Sequence, residues 1–201
     1  MPTNEFIKNI SGVILAGGKS SRMGEDKALK KVNDVALIEF SINNLQHQVK
    51  TLFINTNQNQ QDYLKFGYPL IKDLNPDHLG PLSGIYSALK TITTNWAFFG
   101  ACDTPCLPKD IVARLYEQAQ QQQKLIAVVK TQKKLQPLVL LVHKDLCKSL
   151  NSFITSGERK TQLWITQQQP AIVDCSNELD AFANINTAQD FIDFENKQIE
   201  L

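Results

Sequence analysis

Three glycines and three cations crowd one short stretch of this chain, where the apolar run Val13-Ile14-Leu15-Ala16 turns at Gly17-Gly18 into a polar segment carrying Lys19, Arg22, Gly24 and Lys27. Glycine lets backbone N–H groups approach an anion closely, because no Cβ intervenes and positive φ costs little. Lysine and arginine add charge-assisted hydrogen bonds to oxyanions. The combination predicts a buried strand that ends in a loop able to wrap a phosphate. Spacing excludes two familiar loops. In a G-x-x-x-x-G-K-[ST] P-loop the window before Gly18-Lys19-Ser20 would be loop, and here it is the apolar run itself; no G-x-G-x-x-G occurs anywhere.

Three more polar residues stand where apolar runs end. Asn55 follows Thr51-Leu52-Phe53-Ile54, Asp73 follows Tyr68-Pro69-Leu70-Ile71, and Asp103 follows Trp96 to Ala101, the most apolar strand candidate in the chain. Between these runs the spacing of apolar residues predicts helices over 35–49, 58–66, 83–92 and 108–120. Further on, strands are expected at 125–129, 138–142 and 171–173. Helices are expected at 143–153 and 161–167, with a closing helix at 188–196 that Thr187 caps and Phe191 and Phe194 anchor. Strands alternating with helices predict a three-layer α/β/α fold with a mostly parallel, Rossmann-like sheet. Such sheets gather ligands at the carboxyl ends of their strands, which is where Gly17, Asn55, Asp73 and Asp103 fall.

Composition narrows the classes of function. The chain has 201 residues, 42% hydrophobic and 20% charged, with a formal net charge of +1. One domain over 1–201 is expected. The balance of charge argues against nucleic acid as a partner, so phosphate affinity must be local. No apolar run approaches the roughly 20 residues that cross a bilayer, and neither a membrane association nor an export signal is expected. The four cysteines include no C-x-x-C pair, which suits reduced thiols in the cytoplasm.

The loop has a more specific likeness. Leu15-Ala16-Gly17-Gly18, Arg22-Met23-Gly24 and Asp26-Lys27 resemble the signature of nucleotidyltransferases with a nucleotide-diphospho-sugar transferase fold. Among these the chain is most similar to the molybdenum cofactor guanylyltransferases. Gly80-Pro81-Leu82-Ser83-Gly84, Cys102-Asp103-Thr104-Pro105, Gln136-Pro137-Leu138, Gly157-Glu158-Arg159-Lys160 and Asn184-Ile185-Asn186-Thr187 continue the likeness in family order.

The resemblance implies transfer of GMP from GTP to the terminal phosphate of molybdopterin, with loss of pyrophosphate. It implies a nucleotide-binding half, roughly 8–106, and an acceptor-binding half, 107–201. Leu15, Ala16, Gly17, Gly18, Lys27, Asn55, Asp73 and Asp103 are then expected to bind nucleotide, with backbone amides from Ala16 to Gly18 around the phosphates. Arg22, Lys27 and Asp103 are the expected catalytic groups. Asp103 is the expected ligand of Mg²⁺, a hard cation that keeps several waters. Gln136, Arg159, Lys160, Asn184 and Asn186 are expected to bind the acceptor. Molybdoenzyme apoproteins and delivery chaperones are the expected recipients of the product. The rival expectations are a cofactor cytidylyltransferase or sugar-1-phosphate nucleotidyltransferase, and a non-catalytic GTP-binding adaptor that delivers the cofactor.

Overall fold

Strand β1, Ile10–Leu15, is buried at every position. Ile10 and Ile14 join one apolar cluster, and Val13 and Leu15 another. A strand apolar on both faces belongs in the middle of a sheet covered on both sides. The computed structural model describes residues 7–17, 26–75, 80–132 and 134–199. Its other strands are β2 (Lys31–Val32), β3 (Val35–Ala36), β4 (Thr51–Asn55), β5 (Leu70–Ile71), β6 (Trp96–Ala101), β7 (Ile126–Thr131), β8 (Lys134–His143) and β9 (Ala171–Asp174). The α-helices are α1 (Leu37–Leu45), α2 (Gln60–Leu64), α3 (Pro81–Thr91), α4 (Ile111–Gln121), α5 (Cys147–Thr155), α6 (Thr161–Gln167) and α7 (Ala188–Ile199).

Seven strands form one sheet in the order β5-β4-β1-β6-β8-β7-β9. Its pairs are parallel except those made by β8. Helices α1 and α4 cover one face through Ile38, Ile42, Ile111 and Leu115; α3, α5 and α6 cover the other through Leu82, Ile85, Leu150 and Trp164. This is the expected three-layer α/β/α arrangement. Helix α7 makes a smaller cluster, where Phe191 and Phe194 pack with Val32, Leu37 and Ile185. Its first turn is capped as Thr187 predicts: the Thr187 hydroxyl accepts the Asp190 N–H at 3.1 Å, and the Asp190 carboxylate accepts the Thr187 N–H at 2.7 Å. Among the described residues no helix is long and apolar enough to cross a membrane.

Two expectations need correction. The helix expected from residue 35 begins at Leu37, because Asn33 and Asp34 both take positive φ (48° and 64°) and close a two-residue hairpin between β2 and β3. The strand expected at 138–142 is longer, begins at Lys134 and runs antiparallel. Only two residues separate it from β7, too few for the crossover that a parallel partner needs. Its register jumps between Val128↔Leu140 and Val129↔Gln136, which leaves Pro137, Leu138 and Val139 in a bulge. A proline without an N–H is tolerated there.

The parallel core brings the ends of β5, β4, β1 and β6 to one edge, and α1 with the turn that follows it braces the turn after β6. Asn44 donates to the Pro105 carbonyl, and Gln48 donates to the Pro108 carbonyl at 3.1 Å while accepting the Val112 N–H at 3.1 Å. On the opposite face α3 comes so close to β4 that a Cβ on Gly84 would lie 2.3 Å from Asn55 Oδ1 and 3.1 Å from Leu15 Cδ2. Glycine is required here for space. Gly84→Ala must therefore push the Asn55 amide aside. We expect about 1–3 kcal/mol of lost stability, as overpacked cores show, read from urea unfolding; an unchanged midpoint would contradict this packing.

Candidate active site

The site is built at the carboxyl ends of the central strands, and its first component is a carboxylate held by two amides. Asn55 ends β4 and is 4% exposed. A buried amide must satisfy its N–H groups. Asn55 Nδ2 donates to the Ile71 carbonyl at 3.1 Å and to Asp73 Oδ1 at 2.9 Å. Asn57 donates to the other oxygen, Asp73 Oδ2, at 2.9 Å, and its own Oδ1 accepts the Asp73 N–H at 2.9 Å. Each Asp73 oxygen keeps a lone pair for a hydrogen-bond donor outside the protein. Gly17 faces this group. A Cβ there would meet Asn55 and Asn57 atoms only at 3.9–4.0 Å, which is ordinary contact.

The second component centres on Lys27. Its ammonium donates to Asn186 Oδ1 at 2.8 Å and lies 3.4 Å from Asp103 Oδ2. Lys27 belongs to a single 3-10 turn, Lys27–Leu29, that Asp26 caps by accepting the Ala28 N–H at 3.2 Å. Asp103 lies just beyond β6, and its backbone carbonyl accepts the Ile185 N–H at 2.8 Å. The Thr104 hydroxyl donates to Asn184 Oδ1 at 2.9 Å. The segment 184–186 thus runs against the end of β6, with Ile185 buried and the two flanking asparagines turned to the Thr104–Asp103–Lys27 corner. The Asn186 and Thr187 N–H groups bind the Asp190 carboxylate and hold its pKa below the ordinary aspartate value.

The corner unites residues distant in sequence, but not every residue expected at the site. Gly18 and Arg22 lie outside the described residues, as do Lys19 and Gly24. The Ala16 N–H is donated to the Asn55 carbonyl at 2.9 Å. It is therefore already paired within the sheet and not free to be the phosphate donor expected from the loop. Leu15 packs as a core residue, and its carbonyl accepts the Cys102 N–H at 3.3 Å. The five residues grouped as acceptor-binding fall into separate places. Asn184 and Asn186 join the Lys27 corner. Gln136 lies on the β7–β8 hairpin and donates to Thr131 Oγ1 at 2.6 Å. Lys160 is exposed at the start of α6. Arg159 donates to the Ile154 and Glu158 carbonyls at 2.8 and 2.7 Å.

Arg159 also lines a cavity of about 280 Å³ with Asn75, Ser83, Tyr86, Asn151 and Thr155. Ser83 Oγ is buried and, among the described residues, has no hydrogen-bond partner. The motif around Gly80 drew attention to this turn, but nothing in the spacing singles out Ser83. Sequence reasoning also missed Asn57, whose position two residues beyond Asn55 would have been the only signal. Burial, then the neighbouring Asp103 carboxylate, push the Cys102 thiol up to about 12, away from the thiolate form.

Chemically, the corner offers one carboxylate, one ammonium and two amide oxygens. Among the described residues no group of three or more His, Cys, Asp or Glu side chains could hold a metal ion. Asp103 alone suits a hard cation that retains most of its waters.

Comparison with known proteins bears on the family of the chain. Residues 12–171 match the MobA-like NTP transferase domain family. A protein of Shewanella frigidimarina named molybdenum cofactor guanylyltransferase is 40% identical over 90% of this chain and 92% of its own. One of the same name from Shewanella loihica is 38% identical over the same shares. Among solved structures, molybdopterin-guanine dinucleotide biosynthesis protein A of Archaeoglobus fulgidus superposes with a TM-score of 0.75 at 22% identity, covering 95% of this chain and all of that one (100%). The 4-diphosphocytidyl-2C-methyl-D-erythritol synthase of Anaerococcus prevotii shares the fold at a TM-score of 0.72 and 12% identity, over 99% of this chain and 100% of that one. The family match covers most of the chain and the curated relatives are long and similar, so the chain belongs to the MobA-like NTP transferases, among the molybdenum cofactor guanylyltransferases.

Proposed function

We propose that the protein transfers GMP from Mg²⁺-bound GTP to the terminal phosphate of molybdopterin, in the cytoplasm, at the corner made by Lys27, Asp103 and Asn186. The observation that carries this reading is the Lys27 ammonium set 3.4 Å from Asp103 and 2.8 Å from Asn186, at the end of the central strands. A phosphate oxygen of molybdopterin attacks the α-phosphorus of GTP. The new P–O bond forms as the bond to the β-phosphate oxygen breaks, and pyrophosphate leaves.

Each residue has a physical task in that displacement. Lys27 stabilises negative charge that builds on the α-phosphate, a preorganised donor worth more inside a sheltered site than in water. Arg22 clamps the outgoing phosphates through its planar fork. Asp103 holds Mg²⁺, which when bound supplies further neutralisation of the triphosphate. Gly17, Asn55 and Asp73 accommodate the guanosine end, with the Asp73 carboxylate oriented by two amide donors and free to accept from base or ribose. Asn184 and Asn186, from the second half of the chain, meet the acceptor phosphate where the halves join, and Arg159 with the Ser83 cavity takes a more distant polar part of it. Gln136 and Lys160 complete that half. Apoproteins of molybdoenzymes and their chaperones receive the product. No feature favours the cytidylyl, sugar-nucleotide or adaptor alternatives, and pure binding gives no use to a lysine shared with a carboxylate at the α-phosphate.

Two experiments test this reading. Lys27→Ala and Asp103→Asn should each cut turnover at least ~100-fold, the loss of one transition-state stabiliser; near-normal turnover in both would place the chemistry elsewhere. Gly17→Ala should fold normally, because its Cβ meets the protein only at ordinary contact distance. The methyl would instead crowd the purine edge and lower the preference for GTP over CTP. An unchanged preference removes this steric account.

A further inference from the structure

Guanylyl transfer as described gives no task to Asp26, Asn59 or Tyr63, yet these three residues are joined in one network beside Lys27. Tyr63, on α2, is fully buried at 0% exposure. Its hydroxyl donates to Asp26 Oδ1 at 2.9 Å. Asn59, one helical turn earlier, donates to Asp26 Oδ2 at 3.0 Å. The Ala28 N–H is the third donor to the same carboxylate. A phenylalanine would fill the same core as Tyr63, so packing does not explain the hydroxyl. Burying an O–H costs free energy unless it is bonded, and this one is spent on the residue next to Lys27.

The network fixes both neighbours of Lys27. Asp26 is tied to α2 through Tyr63 and to its N-cap residue Asn59, and Ala28 is 1% exposed in the core. A lysine has a flexible four-carbon stem. With its backbone clamped, its ammonium reaches the Asp103–Asn186 corner from a constant origin. Helix α2 also follows directly on Asn55 and Asn57, which hold Asp73, so the segment 55–63 spans from the nucleoside end of the site to the phosphate end. Burial and the Asp26 carboxylate raise the Tyr63 phenol far above its ordinary range, so it stays a donor.

We propose that Tyr63 and Asn59, acting through Asp26, are positioning residues that hold Lys27 in the geometry needed for nucleotidyl transfer. This rests on the reading of Lys27 given above. Misplacing a reacting group by about 1 Å costs up to about 100-fold. Deleting one of three donors to Asp26 should cost less.

Tyr63→Phe removes only the hydroxyl. Steady-state kinetics with GTP, molybdopterin and Mg²⁺ should show kcat lowered about tenfold with KM for GTP changed less than about twofold. In a Lys27→Ala background, followed by single turnover at excess enzyme, Tyr63→Phe should add no further loss. Asn59→Ala, at an exposed position, repeats the cycle if Tyr63→Phe does not fold. A Tyr63→Phe enzyme with wild-type kcat, or one losing the same factor with and without Lys27, overturns the positioning role. A wild-type enzyme that releases no pyrophosphate from any nucleoside triphosphate defeats instead the reading of the site itself.

Discussion

One ammonium group ties this structure together. Lys27 is drawn from the loop after β1, Asp103 from the end of β6, and Asn186 from the approach to α7, and they meet within hydrogen-bond and ion-pair distance. A cation whose side chain is only 19% exposed needs acceptors to offset lost hydration. The carboxylate and the amide oxygen provide them. That arrangement is also unbalanced in a useful way. If Asp103 holds a divalent cation as well as facing Lys27, one carboxylate is shared between two cationic centres. Their mutual repulsion is relieved when a polyanion lies between them, and a triphosphate is such an anion. With such a cation bound, the corner would favour a phosphorylated substrate over a neutral one.

The rest of the fold keeps that corner in place. Parallel pairing of β1 with β4 and β6 puts three strand ends side by side. Gly84 lets α3 settle against Asn55, and the Asn55 amide in turn orients Asp73. Asn44 on α1 and Gln48 just beyond it fasten the turn that follows Asp103. The Asp190 carboxylate fastens the segment carrying Asn186 by taking two of its backbone N–H groups. Among the described residues at this corner, Asp103, Thr104, Asn184 and Asn186 are short side chains on braced backbone, and Lys27 is the long and flexible one. That is why a separate network around Asp26 has a task to perform.

Much of this was legible in the sequence because it depends on local pattern. The apolar run Trp96–Ala101 reads as a central strand and is one, since continuous hydrophobicity is what burial on both faces demands. The polar residue after each run marks the sheet edge where ligands collect. What escaped depends on pairing across the chain. The second strand of the Asn33-Asp34 hairpin hid inside the helix expected from residue 35, because Val35 and Ala36 fit both periods. The antiparallel β8 was hidden by Pro137, which interrupts the strand pattern without ending the strand. No periodicity announces that the Ala16 N–H is spent on Asn55, or that Tyr63 reaches Asp26 across 37 positions. The late asparagines showed their spacing but not the partner each would meet.

The most direct measurement of the central claim is pyrophosphate release, followed with each of the four ribonucleoside triphosphates, in the presence and absence of molybdopterin and of Mg²⁺. A guanylyltransferase with its reacting groups at the Lys27–Asp103 corner should release pyrophosphate with GTP, and only when molybdopterin and the metal are both present. Release that is independent of molybdopterin, or that is as fast with CTP, would contradict it.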